Sequence, residues 1–448
     1  MMHAPKKYLF ILLLTAFIPV VSALESFAQQ SKLEKVYMHT DKSQYAINDT
    51  IWFTGYVTEG NKNIASKISK VIYVDLLDQA DSVLKRAKLE LINGSATGHF
   101  GLRGDANQGL FRIRAYTLWM RNFDKQYFFN KSIRIGGSSA KINNKPTKYD
   151  AEFLPEGGAM IDNIPGKVAF KAVDEQGRGI DVTGLLKTEK GEELVRFKSQ
   201  HYGMGIFNFT PQAAIKYVAH MVFPDGSQKQ YTLQEAKKSG YSLAVVQSAD
   251  SLNIQIKCTK ENSKDVRLII KSPGLPEYVQ PLSNSSLQTA ISIAKENLPI
   301  GISQISLLDG ANQVLAKRLV FIRNAKTLKL DIIPKKAVYK KGSRMSININ
   351  AITPNGFDNT GTFSLSVAEI SADLNEEDEV TILSNLLLSS ELKGYVENPN
   401  YYFIGTDTTR QMFLDYLMLT QQYRPDQAEE LVDPKFLQKQ MACTQQAW

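Results

Sequence analysis

The sequence is poor in the residues from which reactive sites are usually assembled. It has two cysteines in 448 residues, Cys258 in an apolar-alternating run and Cys443 near the C-terminal end. Exported domains that depend on disulfides carry dense, even sets of cysteines, so a stapled scaffold is excluded and buried cores must hold the chain. Histidine is also scarce. Beyond His3 there are His39, His99, His201 and His220, none within four residues of another. With no HExxH and no CxxC, no metal-ligand spacing remains. There is no G-x-S-x-G elbow for a nucleophilic serine, and "PEGG" (155–158) lacks the Lys and Ser/Thr of a phosphate loop and precedes a strand, so it reads as a sharp turn. No catalytic, cofactor-binding or metal residue is expected, and no cofactor.

Charge of one sign is not in large excess either. The formal charge is +8, or +7 without residues 1–28, which hold two lysines and one glutamate. Nucleic-acid binders concentrate basic residues on one face; here the only local cluster is "PKKAVYKKGSR" (334–344), which alternates like a strand entry. It reads as a lysine-protected strand edge, with contact to an anionic polymer or headgroup as the other reading. No nucleic-acid partner is expected. Long apolar runs are absent after the N-terminus, so no transmembrane segment is expected in the mature chain.

The N-terminus itself is informative. Lys6 and Lys7 precede the apolar run "YLFILLLTAFIPVV" (8–21), interrupted by Pro19 and followed by small residues at "VSA" and "SFA". That order describes a secretory signal peptide over 1–28, cleaved near Ala23 or Ala28. The run falls short of the roughly 20 apolar residues of a membrane span. No cysteine lies near either cleavage site, so a lipid anchor is not expected. The expected location is outside the cytoplasm: periplasm, outer membrane or cell surface.

What the chain has in quantity is period-2 alternation of Val, Ile, Tyr and Phe, broken by Gly, Asn, Asp and Pro, as in "KVIYVDLLD" (70–78), "KVAFKAVD" (167–174) and "LNIQIKC" (252–258). Half-buried antiparallel strands give this pattern. A strand–loop–strand element also recurs. Phe100→Phe111, Phe207→Tyr217 and Ile291→Ile302 are steps of 11, 10 and 11 residues, set 107 and then 84 residues apart. One small sandwich per repeat fits that spacing, and the length allows roughly four domains of about 100 residues. The expected fold is mainly β: a tandem array of fibronectin- or immunoglobulin-like antiparallel β-sandwiches with a short helical C-terminal segment. The expected domains are 31–140, 146–237, 238–324 and 325–400, the last with a helical insertion at 375–394, then a helix and irregular tail over 405–448. Asp407 reads as the cap of a helix over 407–424.

"HTDKSQYAINDTIWFTGYV" (39–57) concentrates a histidine, aspartates, a lysine and a tryptophan. It reads as a polar turn feeding a strand, because "PKKAVYKKGSRMSININ" (334–350) repeats the tyrosine, turn and strand without the histidine and tryptophan. Asp41, Asp49, Asp75 and Asp78 do not single out a glycosidase pair. "RGD" (103–105) matches an adhesion tripeptide but lies in the loop between two repeat strands, and "NGS" (93–95) fits a glycosylation pattern that matters only in a host with that machinery. The aromatics "YFF" (127–129), "NPNYYF" (398–403), Trp52 and Trp119 read mostly as core, with a binding ridge as the alternative.

Four longer motifs in order carry a resemblance. "EKVYMHTDKSQYAINDTIWFTGYV" (34–57), "AEFLPEGGAMIDNIPGKVAFKAVDEQGRGIDVTG" (151–184), "HYGMGIFNFTP" (201–211) and "LSNLLLSSELKGYVENPNYYF" (383–403) resemble the MG2-type macroglobulin-domain exported proteins of Bacteroidota, within the alpha-2-macroglobulin superfamily. The resemblance implies macroglobulin-type sandwiches. It also implies longer forms that continue past a segment like 413–424 into carboxypeptidase-regulatory-like and TonB plug-like domains. No Cys–Gln thioester motif is present, so thioester trapping is not expected. The implied role is a non-enzymatic envelope scaffold or binding protein, alongside TonB-dependent outer-membrane transport, with an envelope or outer-membrane protein as partner. The alternatives are thioester-independent inhibition of an endopeptidase, with a protease as partner, and a carbohydrate-active enzyme with two facing carboxylates.

Overall fold

The computed structural model describes residues 33–60, 62–102, 108–136, 148–259, 265–282, 287–324, 327–353, 361–368 and 379–424. The "RGD" at 103–105, Cys443 and the residues of the expected signal peptide lie outside them. The chain forms two compact units, one ending at residue 137 and one spanning 138–424.

The first unit is a β-sandwich. One sheet sets β1 (Glu34–Thr40) against β3 (Thr50–Glu59), which also pairs with β7 (Ser95–Gly101) and the short β4 (Ile64–Ala65). The other has the order β2 (Gln44–Tyr45), β9 (Phe129–Ile135), β8 (Gly109–Tyr116), β5 (Val71–Leu77), β6 (Val83–Glu90). Alternation in the sequence becomes a two-faced strand, as the pleat requires. Along β3, Ile51, Phe53 and Val57 are buried while Trp52 is exposed.

The second unit repeats this plan twice. β10 (Tyr149–Pro155), β11 (Gly166–Asp174) and β14 (Met204–Phe209) face β13 (Glu193–Lys198), β12 (Thr183–Thr188), β15 (Tyr217–Val222) and β16 (Gln228–Thr232). β17 (Tyr241–Gln247), β18 (Ser251–Cys258) and β21 (Gln288–Ala294) face β20 (Tyr278–Leu282), β19 (Val266–Lys271), β22 (Gly301–Asp309) and β23 (Val314–Ile322). Each sandwich has its own apolar core, with Phe170, Leu186 and Ala219 in one and Leu243, Ile254, Ile305 and Val320 in the next. Strand order is the same in all three: first, second and fifth strands in one sheet, fourth, third, sixth and seventh in the other, counting the seven main strands of each. This is the two-sheet arrangement of fibronectin-like sandwiches. The sequence repeat now has a structural meaning. Phe100→Phe111, Phe207→Tyr217 and Ile291→Ile302 each mark the crossing from fifth strand to sixth, from one sheet to the other.

In 325–400 the described residues hold β24 (Lys329–Pro334) paired antiparallel with β25 (Ile347–Ile352) as a two-stranded sheet. A helical segment follows. A short helical turn, α1 (Ile382–Ser384), is capped by Thr381 and runs into a π-turn over Asn385–Ser389. The regular helix ends well before Lys393-Gly394, where the sequence placed it, because a wide turn has replaced the 3.6-residue ladder. A 3₁₀ turn, Pro399–Tyr402, leads to α2 (Thr408–Thr420). Asp407 caps α2 by accepting from the Arg410 amide at 3.0 Å, as expected. No helix among the described residues is long and apolar enough to cross a membrane.

Candidate functional site at the helical junction

The polar residues that looked reactive in the sequence are occupied in holding strands and turns. The Tyr45 hydroxyl donates to Asp41 Oδ1 at 2.7 Å and accepts from the Lys42 amide at 3.1 Å. The same carboxylate oxygen accepts from the Trp52 amide at 3.0 Å. Burial pushes the Tyr45 phenol far above its ordinary range, and its bond to Asp41 adds to this. Asp49 caps the turn through the Ala46 amide and pairs with Lys42 at 2.8 Å. The hydrogen bond from Lys42 is the main reason that its carboxyl titrates below the usual range. Asp75 is buried beneath Arg86 and Arg114, at 2.6 and 3.0 Å. Burial alone would raise its pKa, but the two guanidiniums outweigh it and hold the group low. Asp78 accepts from the amides of Ala80 and Ser82 in a turn.

The four histidines beyond His3 are dispersed. His39 lies on β1 opposite Thr54 and His220 on β15 opposite Leu185. His99 packs against Trp52 at 4.8 Å, with the rings tilted by 40°, on the outer face of the first sandwich. No group of three or more metal-ligating side chains gathers among the described residues. Trp119 and the 127–129 aromatics are buried, and "NGS" (93–95) forms a tight turn with Asn93 at φ 51° and Gly94 at φ 74°.

A different set converges where the helical segment meets the second and third sandwiches. Leu388, Leu392, Val396, Tyr402, Leu414, Leu417 and Met418 bury themselves against Met204 of β14 and Ile302, Leu319 and Phe321 of β22 and β23. At the centre is Arg318 on β23, almost fully buried. Its Nε donates to Glu156 Oε1 at 2.9 Å and an Nη to Asp415 Oδ1 at 2.7 Å, with a further bond to the Leu319 carbonyl. Burial works against the guanidinium, but Asp415 and Glu156 keep it firmly protonated. Glu156 also accepts from the Val245 amide at 3.2 Å and lies 3.6 Å from Lys167 Nζ. The next residue, Gly157, has φ +83°, and a Cβ there would stand 3.0 Å from the Leu243 carbonyl. "PEGG" is therefore a turn, as read, and the turn is where the second sandwich touches the third.

Beside the triad lies an aromatic box. The His201 ring stacks on Phe413 at 4.4 Å and 2°, and packs on Tyr202, Tyr401 and Tyr402 at 4.0, 4.3 and 5.6 Å. Its Nε2 is buried without a hydrogen-bond partner. Burial, and then the charge of Arg410, push its pKa down to about 4. Arg410 lies over the Tyr401 ring at 4.3 Å and pairs with Asp407 at 3.0 Å. The box is closed by Tyr416, which donates to Gln200 Oε1 at 2.6 Å, and by Asn398, which donates to the Tyr202 hydroxyl at 3.0 Å. A tight turn presents His201 to it: Tyr202 has φ 44° and Gly203 φ 72°, and a Cβ on Gly203 would collide with the Ala172 carbonyl at 2.0 Å. Sequence reading found "NPNYYF" and Asp407 but not Glu156, Arg318 or Asp415, nor the packing of His201 against Tyr202, Tyr401 and Phe413. Those residues lie up to 259 positions apart (156 to 415), and no local pattern links them.

No family model matches the sequence, and no curated protein does. Solved structures do match. Alpha-2-macroglobulin from Escherichia coli activated by porcine elastase aligns over 72% of this chain and 33% of its own, at 13% identity and TM-score 0.26. A tetra-tandem repeat from the extending region of a large adhesion protein aligns over 73% and 90%, at 11% and 0.20. The first three fibronectin domains of chicken CNTN1 align over 66% and 99%, at 10% and 0.18. The chain spans about a third of the length of that alpha-2-macroglobulin.

Proposed function

We propose that the chain is an exported, non-enzymatic, macroglobulin-like scaffold and binding protein of the cell envelope, working alongside TonB-dependent outer-membrane transport. The observation that carries this reading is the Glu156–Arg318–Asp415 triad within its apolar surround. It ties two sandwiches and a helical segment into one block, so this buried polar cluster serves rigidity. A rigid pair of sandwiches presents its loops and strand edges to partners at fixed spacing, the usual division of labour between scaffold and recognition surface. The signal-peptide pattern and the macroglobulin-type motifs support the envelope location.

Capture from envelope extract with the full chain as bait tests it. Recovery of an outer-membrane transporter or other envelope protein supports the scaffold. Recovery of a protease, with cleavage of the chain and a change in its scattering envelope, favours thioester-independent inhibition instead. Hydrolysis of a glycan by the purified chain overturns both.

A further inference from the structure

The chain has fourteen arginines, and six of them fall between residues 86 and 134. Four of the six share the outward face of the five-stranded sheet in the first sandwich: Arg86 on β6, Arg112 and Arg114 on β8, and Arg134 on β9. The residues that alternate with them, Phe111, Ile113, Ile133 and Ile135, are buried in the core, so the pleat directs the basic side chains outward. Lys88 stands two residues after Arg86 on the same face. Three acids accompany these five cations: Asp75 and Glu90 on the face, and Asp81 in the turn after β5. Asp81 pairs with Arg112. Lys88 and Arg134 are in no ion pair among the described residues.

Asp75 orders the cluster. It lies between Arg86 and Arg114 across the strands, and its buried carboxylate bonds to both, at 2.6 and 3.0 Å. One negative charge therefore fixes two guanidiniums side by side and leaves one positive charge unmatched. Each guanidinium keeps N–H groups beyond those that Asp75 uses. A group fixed in this way can take a second carboxylate and loses little freedom in doing so. The cations stand in columns on β6, β8 and β9, where adjacent strands lie about 4.8 Å apart. On β9, Arg134 is joined by Asn130 and Ser132, which can bond to hydroxyls.

Charge and layout select the occupant. Two copies of this face would repel each other, and stable membrane binding requires an apolar face beside the charge. A protein interface is built around an apolar anchor, whereas this face centres on Asp75 and its arginines. The chain's own stretches that flank β8 and β9 in sequence, 103–107 and 137–147, carry one acid against Arg103, Lys141 and Lys145, so they add positive charge. A linear chain of acidic sugars supplies one carboxylate per residue at nearly the strand spacing, with hydroxyls for Asn130 and Ser132. We propose that the outward face of the β2–β9–β8–β5–β6 sheet binds a uronic-acid polysaccharide laid across the strands.

The test uses the full chain and a fluorescein-labelled oligogalacturonate, with its methyl ester as an uncharged mimic. The acid form is expected to bind and to slow acetylation of Lys88 by N-hydroxysuccinimide acetate. Its affinity should fall at least about tenfold from about 0.1 M to about 1 M salt, as the screening length shortens. Lys88→Ser with Arg134→Ser is expected to weaken binding about tenfold. Both residues are exposed, so the circular dichroism of this variant should not change. Lys340→Ser with Lys341→Ser, in the other basic cluster, is expected to leave binding unchanged. The inference is overturned if the acid form does not bind, if the methyl ester binds equally, or if the two double variants weaken binding to the same extent. It is also overturned if Lys88 resists acetylation in the chain alone, which would show that another part of the chain covers the face. Tighter binding of polyglutamate or of phosphatidylglycerol vesicles through Lys88 and Arg134 would overturn it by assigning the face to a protein or a membrane. No junction residue takes part, so failure of this inference leaves the scaffold reading in place.

Discussion

Glu156 and Arg318 lie 162 residues apart in sequence, yet their charged ends meet at 2.9 Å with both side chains buried. Breaking a buried pair from one side leaves the other charge uncompensated. Arg318→Met is therefore expected to destabilise the second unit by about 3–5 kcal/mol, and Glu156→Gln by less because the amide still accepts a hydrogen bond. Combining Arg318→Met with Glu156→Gln and Asp415→Asn should recover part of the loss. Urea unfolding followed by circular dichroism, with trypsin sensitivity of 379–424 as a local reading, checks the order. Three equal losses would show that the charges do not act as a set.

His201 makes the junction sensitive to acid. Its folded pKa of about 4 lies below the ordinary 6.5, because the ring is buried and Arg410 is close. The unfolded chain therefore takes up the proton first. The stabilisation is complete above pH 6.5 and declines as pH falls from there toward 4. The loss should stay below about 3 kcal/mol, since the ring is not fully buried. His201→Phe keeps the stacking on Phe413 and removes the titration, so the pH dependence of the urea midpoint should flatten between 6.5 and 4. An unchanged slope would remove His201 as its origin.

The opening turn offers a contrast between architecture and surface. Tyr45→Phe deletes the buried hydroxyl that orders Asp41 and the Lys42 amide, and should cost roughly 1–2 kcal/mol. Trp52→Ala, at an exposed position on the neighbouring strand, should change stability by about 0.5 kcal/mol or less. Thermal unfolding of the two variants decides whether the stretch is structural. A larger loss from Trp52→Ala would show that its packing on His99 helps to hold the sheet.

Gly203 sets the geometry of the aromatic box. Any side chain at its left-handed φ of 72° is strained, and a Cβ would overlap the Ala172 carbonyl. Gly203→Ala should therefore cost about 2 kcal/mol or more and loosen the packing of α2. Amide exchange in 408–420 should accelerate together with the global loss. Retained protection there would separate the turn from the helix.

Much of the fold was legible locally. Alternation in "KVAFKAVD" became β11, and the recurrent strand–loop–strand steps became one sheet-to-sheet crossing per sandwich. The tyrosine shared by "DKSQYAIND" and "PKKAVYKKG" became one hydrogen-bond motif used twice, its hydroxyl accepting from the Lys42 and the Lys336 amide. These are short-range facts, because strand faces follow a period of two and turns are set by a few residues. The helical stretch at 383–394 was harder to read, since its apolar spacing does not distinguish a continued helix from a π-turn.

The sequence by itself determined the class of structure, the places where strands turn, and which face of each strand is apolar. Only the tertiary structure decided that Glu156 in a sharp turn, Arg318 in a strand and Asp415 in a helix form one charge cluster, and that His201 is boxed among aromatics. Such relationships depend on which surfaces meet, and contacts across some 260 residues leave no periodic trace in the chain.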